Sequence, residues 1–260
     1  MTEFIRINRR LFLARLGKGT MALAVLGACG EGSGVTSTTT AASSTTSASP
    51  TTTTGSTSTT GAAAAASYLR VNLGFVSAYI VARGIEAAVV DTGVSGSEAA
   101  IEAALGTAEV TWAEVAHLIL THHHPDHVGS MAAVLNAATA ATGYIGEADL
   151  DNVTSPRELV AVSDGDEIFG LQVIHSPGHT AGHISLFDPA AGVLIAGDAI
   201  NGADGGVIGP NSQFSEDHTQ ALATVGKLAG YGYETIYFGH GEPVMSNGAA
   251  LVTQLARDTY

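Results

Sequence analysis

Four of the chain's ten histidines and one aspartate fall within the six positions from His122 to His127, in the order His-His-His-Pro-Asp-His. Imidazole nitrogen with carboxylate oxygen is the ligand set that borderline divalent metals such as zinc favour. In an extended segment the side chains at i and i+2 point the same way, so His122 and His124 can take one metal from one face while His123 points to the other. Pro125 disfavours helix at His124 and turns the chain after it, which lets Asp126 and His127 aim at an adjacent point. The spacing suggests one metal and permits two. Three further segments have the same character, each a ligand-type residue beside glycine at the end of an apolar run: Ser176 to His183 around His179, Ile195 to Asp198, and Phe238 to Gly241 around His240. Glycine lets the backbone turn tightly there and brings the side chain to a sheet edge. Cys29 is the one cysteine, so thiolate ligands and internal disulfides are excluded from the region that holds these residues.

Short apolar runs punctuated by glycine must carry these groups. Residues 68–75, 78–81 and 87–90 read as strands, the last running into Asp91-Thr92-Gly93. Ser95 or Ser97 can cap a helix that ends at Gly106. A strand over 116–120 leads into the histidine cluster, and the Ala-rich residues 128–141 read as the helix after it. Strands are expected over 159–162, 167–174, 183–187, 193–196 and 235–238, with helices near 217–229 and 247–257. This order suggests two packed sheets with helices outside.

Asp91 with its Thr-Gly, the His-x-His-x-Asp-His block, His179, Asp198 and His240 match in order and rough spacing the motifs of the metallo-β-lactamase-fold hydrolase superfamily, and the chain resembles that family over residues 69–257. The resemblance implies an α/β fold, the four-layer αββα sandwich, with a dinuclear site at one edge of the sheets. It implies that His122, His124 and His179 bind one divalent ion and Asp126, His127 and His240 a second, with Asp198 bridging. Zinc is the first expectation, and manganese or iron accept the same ligands. Asp91 is implied as a supporting carboxylate. The implied chemistry is hydrolysis by a hydroxide held between the ions, oriented by Asp126. His183 reads as a hydrogen-bonding support, His117 and His175 as residues without chemistry, and His218 either as a substrate contact or as a surface histidine at a helix terminus.

A bridging Asp198 resembles the thioesterases, lactonases and phosphodiesterases of the family, whereas antibiotic-hydrolysing lactamases generally have Cys or Ser there. Glyoxalase II relatives carry an extra helical domain, for which the residues after His240 leave no space. The expected substrate is therefore a small ester, lactone or thioester. The alternatives are a phosphodiester, weak β-lactamase activity, or an accessory lipoprotein that holds metal without turnover.

The N-terminal region reads as an export signal: Arg6, Arg9, Arg10 and Arg15, the apolar run Met21 to Leu26, then Gly27-Ala28-Cys29. Asn8 to Leu13 resembles a twin-arginine motif, and Leu26 to Cys29 resembles a lipobox with Cys29 as the lipidated residue; an ordinary cleaved signal is the alternative. Residues 29–67 read as a Ser/Thr/Ala-rich tether and 68–260 as the catalytic domain. The expected location is the outer face of the cell membrane or the periplasm, attached through lipid rather than by spanning. Residues 1–28 hold five of the 10 Lys/Arg and one of the 24 Asp/Glu, so residues 29–260 carry 5 against 23, a formal charge of −18. That balance excludes nucleic acid as a partner and leaves a small molecule.

Overall fold

The computed structural model describes residues 65–259. The expected signal, Cys29 and nearly all of the expected tether lie outside them. Strands β1 (Ser67–Asn72), β2 (Ser77–Arg83) and β3 (Glu86–Val90) precede helix α1 (Glu98–Thr107). Strand β4 (Val115–Leu120), helices α2 (Pro125–Val128) and α3 (Met131–Ala137), and strands β5 (Thr142–Gly146) and β6 (Leu159–Val162) come next. The second half holds β7 (Glu167–Ile168), β8 (Leu171–His175), β9 (Ile184–Asp188), β10 (Val193–Ile195), the hairpin β11 (Asn201–Ala203) and β12 (Gly206–Ile208), α4 (His218–Leu228), β13 (Thr235–Tyr237) and α5 (Gly248–Thr259).

Strands β1 to β6 form one sheet in sequence order, and the second sheet runs β13-β10-β9-β8-β7. Alternation along each strand covers both faces of both sheets. In β2, Tyr79 and Val81 join Val90 and Ile119 in a layer shared with Val173, Leu186, Ile195 and Tyr237 of the other sheet. Ile80 points the opposite way, into a layer with Ile101 and Leu105 of α1 and Val134 of α3. On the far side Ile174, Leu194 and Phe238 pack on Val225 and Leu228 of α4 and Val252 of α5. Three apolar layers between four strata make the αββα sandwich.

The direction of the strands decides where the loops emerge. β3 and β4 are parallel, as are β10 and β13, and β8 runs in the same sense as β10 because β9 is antiparallel to both. The chain therefore leaves β3, β4, β8, β10 and β13 at one edge of the sandwich. Two backbone bonds join the sheets there, Ser77 N–H to the Gly239 carbonyl (2.9 Å) and Ile184 N–H to the Thr121 carbonyl (2.8 Å).

Strand β5 was not expected, and three other elements differ from the expectation, each for a nonlocal or conformational reason. The helix expected over 128–141 is the shorter α3, which starts at Met131 and stops at Ala137, leaving room for β5. The Arg157 guanidinium donates to the carbonyls of Leu135 (2.8 Å), Ala138 (3.0 Å) and Thr139 (2.7 Å), capping the helix from 18 to 22 residues away, where alanine propensity carries no information. The strand expected over 167–174 is the hairpin β7–β8, turning at Phe169 (φ 55°) and Gly170 (φ 74°). A two-residue hairpin needs positive φ at both positions, and phenylalanine conceals that signal. The glycine-rich loop after Asn201 contains the hairpin β11–β12, turning at Asp204-Gly205.

Candidate metal centre

The five loops at this edge deliver the ligand-type residues to one place. His124 is extended (φ −63°, ψ 147°) and caps α2, where Pro125 occupies the first turn. The turn expected after His124 is thus a single helical turn, which swings Asp126 and His127 back over His122. The donor atoms of His122, His124 and His179 lie within 4.8 Å of one another; so do those of His122, His127 and Asp198, and those of Asp126, His127 and His240. Asp198 sits between the groups: its Oδ1 is 3.4 Å from His127 Nε2, and its Oδ2 is 3.1 Å from His240 Nε2 and 3.4 Å from His179 Nε2. Asp126 Oδ2 is 3.4 Å from His240 Nε2.

Hydrogen bonds behind the cluster set which ring nitrogen faces it. His127 Nδ1 is 2.8 Å from Asp91 Oδ2, and His240 Nδ1 donates to the Phe75 carbonyl at 2.7 Å. His122 Nδ1 is 3.0 Å from the Thr121 hydroxyl, which itself donates to Asp91 Oδ2 at 2.8 Å. In each case the proton belongs on Nδ1 and the Nε2 lone pair is turned inward, as metal ligation requires. Asp91 also accepts from Thr121 N–H (2.8 Å) and holds φ 59°. A non-glycine residue in that region costs about 1–3 kcal/mol, offset here by the three bonds its carboxylate accepts. His183 supports the other wall: its Nε2 accepts from Asp198 N–H (3.0 Å) and its Nδ1 meets the Ser176 hydroxyl (2.8 Å). Gly197 (φ 57°) and Gly239 make this closeness available. A Cβ on Gly197 would lie 2.7 Å from His183 Nε2, and one on Gly239 would overlap Asp198 Oδ1.

Burial holds His122 and His183 neutral, pushing both imidazoles well below their ordinary range; it lowers His124 and brings His179 down to about 4. His127 and His240 behave oppositely. Burial alone would lower them, but Asp198 and Asp91 raise His127 to about 9, and hydrogen bonds to Asp126 and Asp198 raise His240 to about 10. The His240 bond holds the Asp126 carboxyl below its usual range, and His127 with His240 outweighs burial to keep Asp198 ionised. The first histidine trio is thus ready to donate lone pairs at neutral pH, whereas a cation at the second must displace protons, so its hold weakens as pH falls.

The residues fit a bound cation on an observation independent of their identity. His122 Nε2, His127 Nε2 and Asp198 Oδ1 are buried with no hydrogen-bond partner. Leaving such atoms unsatisfied costs about 1–3 kcal/mol each, which a cation among them removes.

His123 faces away from the cluster, and its partner is a residue that sequence reasoning missed. Asp149, fully buried in the 3-10 turn Glu147–Asn152, accepts from Thr180 Oγ1 (2.6 Å), Gly182 N–H (2.7 Å) and His123 N–H (3.1 Å). One carboxylate thereby clamps the loop of His122 and His124 to the loop of His179. No glycine, strand end or spacing marks Asp149 in the sequence. Of the two readings of His218, its position is that of a helix-terminus residue: it begins α4 and is not among the residues lining the cavity, which this stretch reaches through Ile208, Asn211 and Phe214 instead. His117 packs against Tyr144 and Phe169, and His175 Nε2 meets the Ala181 carbonyl at 3.0 Å, both away from the cluster. Asp149→Ala is expected to weaken metal retention about 10–100-fold in a chelator competition; retention equal to the parent's would show that the two loops hold their positions without the clamp.

The metallo-beta-lactamase superfamily model matches residues 71–240. A hydroxyacylglutathione hydrolase of Alkalilimnicola ehrlichii is 36% identical over 156 residues, 59% of this chain and 56% of that protein. One of Aeromonas hydrophila subsp. hydrophila is 34% identical over 134 residues, 50% of this chain and 49% of that protein. The chain spans about half the length of the curated relatives it matches. Among solved structures, a metallo-beta-lactamase family protein from Thermus thermophilus superposes with a TM-score of 0.60 at 23% identity, over 74% of this chain and 78% of that one. A subclass B3 metallo-beta-lactamase of Bradyrhizobium japonicum gives 0.54 at 19% identity, over 73% and 88%. At those identities the likeness is one of fold, and with the family match over the whole ligand-bearing region, the chain belongs to the metallo-beta-lactamase superfamily.

Proposed function

We propose that this protein is an exported, zinc-dependent hydrolase of small esters, lactones or thioesters. The observation that carries the reading is the convergence of His122, His124, Asp126, His127, His179, Asp198 and His240, three of them with unpartnered buried ligand-type atoms and five of them, all but His122 and His127, lining an open cavity of about 1160 Å³. His122, His124 and His179 would hold one ion, Asp126, His127 and His240 the other, and Asp198 both. Two ions so held supply a water acidified to near neutral pH and a Lewis acid for the oxyanion that develops on the substrate.

The chain's own groups divide the remaining work. Asp126 lines the cavity and is more open than Asp198, with side-chain exposures of 26% and 7%. Its Oδ2, ionised and steadied by His240, is positioned to orient the attacking water, take its proton and pass it to the departing oxygen or sulfur. Asp198, ionised and buried, holds the two halves of the centre at one spacing. The relatives named hydroxyacylglutathione hydrolase support an acyl-group substrate.

A panel of a neutral ester, a lactone, a thioester, a phosphodiester and a cephalosporin, run after reconstitution with zinc, manganese or iron, tests this. Turnover above free metal on the acyl substrates is expected, and none on any substrate would refute it. Asp126→Ala is expected to lower kcat about 10²–10⁴-fold while His123→Ala keeps most activity; equal losses would overturn the division of faces. For the export reading, replacing Arg9 and Arg10 by lysine should leave precursor inside the cell, and unaffected export would point to the general route.

A further inference from the structure

The cavity above the seven residues has an unusual wall for a site flanked by so many polar groups. Among the described residues seven large apolar side chains are exposed, and four of them, Phe75 (64%), Val94 (37%), Ile208 (51%) and Phe214 (64%), border this one cavity. They come from four separate segments: the β1–β2 loop, the loop after β3, the end of β12, and the loop before α4. Exposed apolar groups scattered singly are ordinary; four drawn together around one opening mark a surface that a ligand covers.

The wall also lacks lysine and arginine. Lys and Arg occur at five described positions, and none lines the cavity. Arg70 is bound to Glu242 (2.6 Å), the Gly241 carbonyl and Ser77; Arg83 to Asp188; Lys227 to Asp164 (2.6 Å); and Arg157 to the carbonyls at the end of α3. Arg257 lies on α5. A substrate whose far end carries carboxylates, as a glutathione conjugate does, would meet no lysine or arginine on the outer wall, His240 lying at the ligand cluster, and would approach a domain of strongly negative charge. The polar groups on the outer wall, Ser95, Asn201, Asn211 and Ser212, are neutral.

Resting on the hydrolase reading above, we propose that the cavity takes an uncharged substrate bearing an alkyl or aryl group, seated against Phe75, Val94, Ile208 and Phe214, and turns away anionic carriers. In the reaction the water oxygen bonds to the carbonyl carbon, the acyl C–O or C–S bond breaks, and the water proton passes by way of Asp126 to the leaving alkoxide or thiolate. The apolar group stays on the wall through both steps. Each methylene removed from water adds about fourfold to binding, so a chain of six extra carbons that is even partly covered gives more than tenfold.

Two readouts on the full, zinc-loaded chain separate this proposal from the reading it rests on. The first is fluorescence of the uncharged probe N-phenyl-1-naphthylamine. Phe214→Ser and Ile208→Ser, both exposed and tested for unchanged folding by circular dichroism, are each expected to weaken its binding at least fivefold relative to the otherwise identical parent. Methyl octanoate should displace it from the parent at least tenfold more readily than S-lactoylglutathione. The second is kcat/KM for p-nitrophenyl octanoate over acetate, expected above 10 in the parent and reduced toward 1 in Phe214→Ser. Probe binding indifferent to both substitutions, or displacement by S-lactoylglutathione at equal or lower concentration, would overturn the proposal. Loss of probe binding in the variants without turnover of any ester would support the apolar wall and refute hydrolysis.

Discussion

A buried carboxylate surrounded by imidazoles governs this molecule. Asp198 has 7% side-chain exposure and lies 3.1–3.4 Å from the Nε2 atoms of three histidines, His127 among them, while His122 Nε2 turns inward beside it with no hydrogen-bond partner. Burying a charge and orphaned polar atoms together is among the most costly arrangements a fold can hold, and it is tolerated where a cation completes it. Much of the architecture at this edge serves that arrangement. Parallel strands bring five chain exits to one place, Asp91 accepts a left-handed backbone to brace Thr121 and His127, and glycine at 197 and 239 clears the volume the carboxylate occupies.

The two halves of the centre are held by different physics. His122, His124 and His179 sit where burial keeps imidazole neutral, so they are preformed donors. The ionised carboxylates around His127 and His240 favour their protonated forms, so their readiness depends on pH and on what competes for their lone pairs. Behind both halves, Asp149 and Asp91 each fasten two segments that are distant in sequence. This positioning shell is carboxylate-rich, which accounts for some of the acidic balance of the chain without reference to any partner.

How much of this was legible in the sequence depends on what local pattern encodes. The His-x-His-x-Asp-His block declares its chemistry because period-two alternation and a proline suffice to sort its side chains into faces, and β6 matches its expected span because it is an apolar run bounded by Glu158 and Ser163. Asp149 was not legible, since its partners are contributed by loops 26 to 33 residues away and nothing in Glu-Ala-Asp-Leu-Asp-Asn marks a clamp. Nor was the end of α3, which Arg157 terminates from a distance, or the β7–β8 turn, where Phe169 takes a conformation its side chain disfavours. The apolar wall escaped for a further reason: Phe75, Val94, Ile208 and Phe214 stand in unrelated contexts along the chain and become one surface only in three dimensions.

Family membership and fold are settled by the match over residues 71–240 and by the sandwich itself, and the central claim concerns the centre those two facts leave to chemistry: seven side chains shaped around two divalent ions. Elemental analysis of metal-replete protein, compared with Asp198→Ala, addresses it most directly. The account predicts two ions per chain in the parent and a loss from both positions in the variant, because the carboxylate serves both. One ion or fewer per chain in the parent, or an unchanged metal content in the variant, would contradict it.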